Sequence, residues 1–306
     1  MPDTPAAPRR TVAIAAIVVN WHDWPKTLAA VASLTASEPE AADGQRVGVA
    51  VQVVVVDNES TPPVPDLPPD VALLRCPTNL GYAGGNNAGI RHVLARDPAP
   101  DAVAIINNDA VVRPDMLAEL ATYLAQHPDV GAAAPVLREP DGRHASSGGW
   151  WGFWRLGRYD EAPAAPRRVD FAIGAALLVP RTVMEAAGGF DERFFHYGED
   201  LDFCLRLAAS GYGVVVVPTA QAVHAGHNSL AGRQDQLAYY VVRNAWLFAK
   251  KHGPRAPIGW VQVAAHLVPV RSWLRRRPTT AAAAWRGFWH GLRGVHGQFD
   301  IGRRRD

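Results

Sequence analysis

Ala102 to Val112 reads AVAIINNDAVV, and the fold turns on how that stretch is read. Ala102 to Ile106 is short, continuous and apolar, the composition of a strand buried on both faces of a parallel sheet. Asn107, Asn108 and Asp109 follow at the carboxyl end of that strand, where open α/β sheets place their ligands. Alone, the three polar residues fit equally well a turn with Asp109 capping what comes next.

Working outward, the same pattern recurs. Val12 to Val19 reads as a buried strand ending in Asn20, and Val47 to Val56 as another ending in Asp57 and Asn58. Between them Pro25 to Ser37 predicts a helix, with Leu28, Val31 and Leu34 on one face. Residues 38–46 form a polar loop, and the five prolines in 60–70 impose another. Val71 to Leu74 is a short strand, Pro114 to His127 an amphipathic helix, and Val130 to Pro135 a further strand. Strands alternating with helices predict βαβ units and a parallel sheet. Three polar strand ends on one edge favour the site over the turn, and specifically a nucleotide site.

NLGYAGGNNAG at 79–89 places Gly81, Gly84, Gly85 and Gly89 around Asn86 and Asn87. It lacks both the G-x-G-x-x-G spacing of dinucleotide folds and a phosphate-loop Gly-Lys-Ser/Thr. Two readings stand: a close backbone approach with a helix amino terminus behind it, or a tight turn and cap. Residues 139–168, rich in Gly, Trp and Arg, predict a long surface insertion able to cover a ligand. Its Trp150, Trp151 and Trp154 would stack on a sugar or, slightly favoured, anchor the loop. Val169 to Val179 predicts one strand, interrupted at Gly174 by a bulge or a close ligand approach. Arg181 to Ala187 is a short helix stopped by Gly188 and Gly189. Helical periodicity resumes after Gly198, which puts Glu199 and Asp200 in a first turn. Acids there favour the helix dipole by roughly 0.3–1 kcal/mol each, yet three acids in four residues exceed what capping needs. Val214 to Val217 is a strand leading to His224, whose weight depends on whether it meets Asp109 in space.

The 306 residues, 48% hydrophobic, suffice for a sizeable core. The net charge of +2 hides an asymmetry, since residues 1–250 hold 20 Lys/Arg against 27 Asp/Glu and residues 251–306 hold 11 against 2. Cys76 and Cys204 stand far apart without metal-type spacing, which argues against a disulfide framework or zinc site and fits a reducing cytosol. Arg9-Arg10 and the apolar run after them lack a cleavage site and are read as an entry to the first strand rather than a signal peptide. No segment approaches the roughly 20 apolar residues that cross a bilayer.

Taken in order, VVNW (18–21), VVDNES (55–60), NLGYAGGNNAG (79–89), INNDA (106–110), GGFDERFFHYGEDLDFCLR (188–206), HAGHNS (224–229) and YYVVRNAWLFAKKH (239–252) resemble the family 2 glycosyltransferases of the GT-A fold. The bacterial branch with rhamnosyltransferases and galactofuranosyltransferases is the nearest in pattern. The resemblance implies an α/β nucleotide-diphospho-sugar transferase fold, with a mostly parallel sheet flanked by helices over 11–252. Residues 11–135 would form the nucleotide half and 136–252 the acceptor half, with a disordered 1–10 and a basic helical extension over 253–306. It implies that Asp57 contacts base and ribose, and that Asn107-Asn108-Asp109 stands for the D-x-D motif, with Asn107 in place of its first acid. Asp109 and His224 would then ligate Mn2+ or Mg2+. Asn20, Asn58, Gly81, Gly84, Asn86, Asn107, Asn108 and Gly174 complete the expected nucleotide-sugar site. Asp200 would be the general base, already ionised at a reference pKa of about 3.9, and Glu199 its neighbour.

The expectation is therefore an inverting, metal-dependent transfer by direct displacement. The donor would be a nucleotide-diphosphate sugar, dTDP-rhamnose-like or a UDP-sugar, and the acceptor a glycan or polyprenyl-linked hydroxyl. A nucleotidyltransferase fits less well, for want of a basic signature for a triphosphate. A non-catalytic nucleotide-sugar-binding subunit is the alternative from another class, against which the set Asp109, Asp200 and His224 speaks. In the tail, the apolar stretch 256–270 and Trp273, Trp285 and Trp289 among arginines fit equally a helix on an anionic membrane surface through 255–306 or a helical subdomain packed on the core. No nucleic-acid recognition motif accompanies the charge. A cytoplasmic location, with contact to the inner face of the membrane, is the expectation.

Overall fold

The computed structural model describes residues 11–37, 47–60, 63–152, 155–225, 234–253 and 267–299. The expectations for residues 1–10, the loop 38–46, Trp154 and most of the apolar stretch 256–270 lie outside the described residues. The strands are β1 (Thr11–Asn20), β2 (Gly48–Asn58), β3 (Ala72–Cys76), β4 (Ala102–Asn107), β5 (Ala110–Val112), β6 (Val130–Arg138), β7 (His144–Ser146), β8 (Gly149–Gly152), β9 (Arg155–Arg158), β10 (Arg167–Val169), β11 (Ala176–Pro180) and β12 (Gly213–His224). The helices are α1 (Trp24–Thr35), α2 (Gly81–Leu94), α3 (Met116–Gln126), α4 (Arg181–Ala187), α5 (Glu199–Ala209), α6 (Gln234–His252), α7 (Val268–Leu274) and α8 (Pro278–Arg293).

The main sheet runs β10-β12-β6-β11-β4-β1-β2-β3, with β5 beside β12 and β7 beside β6. Along that path only β10 and β11 oppose the common direction. Strand alternation divides the core in two. Ile14, Ala16 and Val18 of β1 face Leu34 of α1 and Leu117 and Leu120 of α3. Ala15 and Ile17 face Ile90 and Val93 of α2 and Phe203 of α5. A sheet covered on both faces is why its central strands β1 and β4 read as nearly continuous apolar runs.

Register sets the polar edge. Asn20 lies opposite Asp57, and Val19 opposite Asn107, so the ends of β2, β1 and β4 are neighbours. The edge read from the three strand endings is present.

Three expectations change. The glycine-rich segment does not precede a helix; it forms the first turns of α2. Its glycines let the helix lie close to the sheet, since a Cβ on Gly89 would fall 2.6 Å from Ile17 Cγ2 and one on Gly85 2.9 Å from Val19 Cγ1. Residues 169–179 are two strands rather than one: Val169 ends β10, paired to β12, and the chain crosses to β11, paired to β4. The 139–168 insertion is not a plain loop, because β8 and β9 form a hairpin and β7 joins the sheet.

The basic extension packs on the body. Gly287 and Gly291 of α8 allow it to meet α6 backbone to backbone at Tyr239 and Arg243, and Thr280 donates to Asp235 at 2.5 Å. This packing covers one side of α8 and leaves Trp285, Trp289 and Leu292 on its other side exposed.

Candidate active site

A cleft of about 1020 Å3 opens at the carboxyl edge of the sheet, large enough for a drug-sized ligand or more. Asn107, Asn108, Asp109, Glu199, Asp200 and His224 all line it, with Asn58, Gly81 and Gly174. Its walls are the ends of β1 and β4, the start of α5, one side of α6 and Gly157 and Arg158 of the hairpin.

Strand pairing brings Asp109 and His224 together. β12 continues past its bulge to pair antiparallel with β5, placing His224 opposite Ala110. Asp109 Oδ1 then lies 3.1 Å from His224 Nε2, with both side chains largely buried. Burial alone would raise the Asp109 carboxyl. The hydrogen bond and charge of His224, and the charge of Lys26, outweigh that and hold it below its usual range. Asn107 Nδ2 lies 3.3 Å from His224 Nε2, and its buried Oδ1 has no hydrogen-bond partner among the described residues. Turning the amide over exchanges two nearly isosteric atoms and would aim that oxygen at the same point. A carboxylate, an imidazole and an orphaned amide oxygen suit Mg2+ or Mn2+ with positions left for water and phosphate oxygens. Among the described residues no third His, Cys, Asp or Glu joins the pair.

Asp200 enters from the start of α5. Its Oδ1 accepts from Leu201 N at 2.7 Å and its Oδ2 from Gly174 N at 3.3 Å. Burial pushes its pKa up, against those backbone donors. It is therefore a stronger base than the reference carboxylate assumed from the sequence. Glu199 is 4% exposed, and burial followed by the charge of Asp200 drives its pKa well up. Its Oε2 lacks a hydrogen-bond partner among the described residues, so no donor stabilises the ionised form at that oxygen.

Gly174 joins two walls. Tyr82 donates to its carbonyl at 2.5 Å while its own N–H reaches Asp200. At Gly174, where the sequence predicts a bulge or a close ligand approach, the close neighbour is the Tyr82 hydroxyl, 2.6 Å from where a Cβ would sit.

Asn20, Asp57, Gly84 and Asn86 do not line the cleft. Asn20 is buried, donating to Ser60 and accepting from Thr27, whose Oγ1 also accepts from Asn108 at 3.3 Å. Asp57 is 1% exposed and engaged by Ser60 N and, at 3.2 Å, by Arg75 Nε. Asn86 donates to the Tyr82 carbonyl inside α2, and Gly84 meets Leu80. Asn58 does reach the cleft, and it also accepts from Leu80 N and donates to the Gly81 carbonyl. Trp150 and Trp151 pack edge-on against Tyr159 and Phe248, the anchoring role.

Sequence reasoning assigned no role to Arg243 and Asn244 of α6. Arg243, fully buried, donates to the Phe194 carbonyl at 2.6 Å and that of Gly297 at 2.5 Å. Asn244 Nδ2 reaches the carbonyls of Phe194, His196 and Tyr197 at 2.6–2.9 Å. They hold the turn before Glu199, where Phe195 and Tyr197 take φ of 64° and 71°. Such backbone costs on the order of 1–3 kcal/mol per residue and persists only when its surroundings fix it. The adjacent Arg-Asn of the 239–252 motif was the available signal, but a buried arginine is invisible without the fold.

A family model described as "Glycosyltransferase like family 2" matches residues 8–242. The chain is 31% identical over 265 residues to the N-acetylglucosaminyl-diphospho-decaprenol L-rhamnosyltransferase of Mycobacterium tuberculosis, covering 74% of this chain and 85% of that protein. It is 26% identical over 218 residues to the dTDP-rhamnosyl transferase RfbF of Shigella flexneri, covering 65% and 71%. Among solved structures, the mannosyltransferase PcManGT from Pyrobaculum calidifontis in complex with GDP-Man and Mn2+ superposes with a TM-score of 0.56 at 23% identity, covering 88% of this chain and 73% of that one. GalNAc-T7 with UDP, GalNAc and Mn2+ gives 0.54 at 15%, covering 70% and 43%. The fold is that of the GT-A glycosyltransferases.

Proposed function

From the premise that this chain belongs to glycosyltransferase family 2, we propose that it carries out an inverting transfer from a nucleotide-diphosphate sugar, with Asp200 as general base and a divalent cation at Asp109 and His224. The observation that carries this reading is the sharing of one cleft by the Asp200 carboxylate and the Asp109–His224 pair.

The chemistry comes from those groups. Asp200 is fixed by two backbone donors and made more basic by burial, so it is positioned to accept the proton of an attacking hydroxyl. Burial of Glu199 favours its neutral form, which adds no second negative charge beside Asp200. Asp109 and His224, with Asn107, would hold Mn2+ or Mg2+, which when bound neutralises charge developing on the departing diphosphate. Lys26, also at the cleft, adds positive charge near Asp109. Direct attack of the acceptor hydroxyl on the anomeric carbon inverts it and needs no enzyme nucleophile.

The donor is proposed to be a dTDP-rhamnose-like or UDP-linked sugar. The acceptor is proposed to be a glycan or polyprenyl-linked hydroxyl. The activities named for the two rhamnosyl relatives support both choices.

Titrating dTDP-rhamnose into Asp200→Asn, beside an assay of transfer, tests the base. Donor affinity should stay within a few-fold while transfer falls by about 100- to 10,000-fold. Full turnover by the variant removes Asp200 from the role.

A further inference from the structure

We propose that the outer sides of α7 and α8 form a docking face for an anionic lipid surface. Eight of the eleven exposed large hydrophobic side chains among the described residues fall between 267 and 295. Scattered exposed apolar residues are ordinary, but a concentration of this kind marks an interaction surface. Trp273 is 70% exposed, Leu274 67% and Trp289 50%.

The helix pattern separates two faces. On α8, Ala281, Ala284, Gly287 and Gly291 are buried toward α6, whereas Trp285, Trp289 and Leu292, at i, i+4 and i+7, are turned to solvent. A helix that buries small residues and exposes large aromatic ones is inverted relative to a simple surface helix. On α7 only Pro269 is buried.

Charge selects the occupant. Residues 267–299 hold six arginines and no aspartate or glutamate. None of the six forms an ion pair among the described residues, while Arg293 lies over the Trp289 ring. Tryptophan and leucine rimmed by arginine match the headgroup boundary, where rings sit at the interface and nearby cations are attracted by anionic lipid. A second copy of the chain would bring six more arginines against these, a like-charge contact. No helix among the described residues is long and apolar enough to cross a membrane.

The face is joined to the cleft by α6. Tyr240, Asn244 and Phe248 line the cleft, while Tyr239, Arg243 and Trp246 meet α8. Docking would hold the cleft about one helix layer, 8–10 Å, from the contact plane. That placement suits an acceptor carried on a lipid, and this last step rests on the reading under Proposed function; the docking itself does not.

The test is flotation of the full chain, without donor or acceptor, on phosphatidylcholine vesicles with and without phosphatidylglycerol. Binding should require phosphatidylglycerol and weaken with salt. Trp273→Ser/Leu274→Ser/Trp289→Ser and Arg271→Glu/Arg275→Glu/Arg276→Glu should each weaken it on the order of tenfold or more, with unchanged thermal midpoints because all six positions are exposed. No flotation on anionic vesicles, or variants that float like the parent, overturns the proposal. A dimer that the tryptophan variant dissolves, without vesicle binding, gives the face to a second copy and overturns it too. Donor binding is read separately, so failure here leaves the catalytic reading standing.

Discussion

Asp109 Oδ1 stands 3.1 Å from His224 Nε2 because β5 and β12 pair antiparallel, with Ala110 opposite His224. The contact thus joins the last residue of β12 to the two-residue turn between β4 and β5, which the pairing of β5 with β12 fixes in place. Asp109→Ala should weaken Mn2+ binding, measured by electron paramagnetic resonance with nucleoside diphosphate present, on the order of tenfold or more, since removing even an outer-shell partner costs about 10- to 100-fold. His224→Ala should act in the same direction. Unchanged Mn2+ affinity in both variants would move the cation elsewhere.

Asp200 and Glu199 are neighbours whose pKa values burial raises, and the pH profile of transfer should show it. A base works when ionised, so the rate should fall with acidification from a point above the ordinary aspartate value of about 3.9, and level off on the alkaline side. Glu199→Gln should preserve the fold. A buried acid with raised pKa keeps its proton in the native state after the unfolded chain has lost it. Parent stability therefore declines, relative to Glu199→Gln, as pH rises above about 4.3. A transfer rate flat down to pH near 4 would contradict the raised base.

Gly174 is held between Tyr82 and Asp200. In Gly174→Ala the new methyl would meet the Tyr82 hydroxyl at 2.6 Å, so Tyr82 or the segment holding Asp200 must shift. Misplacing a reacting group by about 1 Å costs on the order of 100-fold, and kcat should fall by that order. Adding Tyr82→Phe removes the clashing oxygen and should restore part of the loss. A strictly additive double mutant would show that the two residues are not coupled.

The sheet and the cleft differ in how far their residues could be read in advance. Buried strands declare themselves because every position must be apolar, and so Asn20, Asp57 and Asn107 stood out where the apolar runs stop. The direction taken by a polar side chain at a strand end is harder to read. Asn20 and Asp57 turn inward to Ser60 and Thr27 or to Arg75, while Asn107 and Asp109 face the cleft, and the letters do not distinguish the two outcomes. Glycine spacing likewise reports close approach without naming the partner, which for Gly85 and Gly89 is the sheet and for Gly174 a tyrosine. Arg243 and Asn244 were illegible for a related reason: their partners are carbonyls, which every residue carries.

Asp202, in the same first turn as Asp200, carries a different load. Its fully buried carboxylate meets Lys251 Nζ at 2.7 Å, His252 Nε2 at 2.8 Å and Arg206 Nε at 2.9 Å, tying α5 to the end of α6. Burial would raise its pKa, but these three partners outweigh it and lower the value. An acid whose folded pKa lies below its unfolded one contributes stability in full above the unfolded value of about 3.9, and loses it as pH falls through the folded value. Asp202→Asn removes the shared carboxylate charge, while Lys251 keeps Asp191 at 2.7 Å and Arg206 keeps the carbonyls of Ala187 and Gly189, and should cost about 1.5–3 kcal/mol at neutral pH. Below pH about 4 the parent loses the same interaction, so urea midpoints of parent and variant should draw together on acidification. Midpoints that stay equally far apart from pH 7 down to the acid transition would show that Asp202 contributes through packing and not through charge.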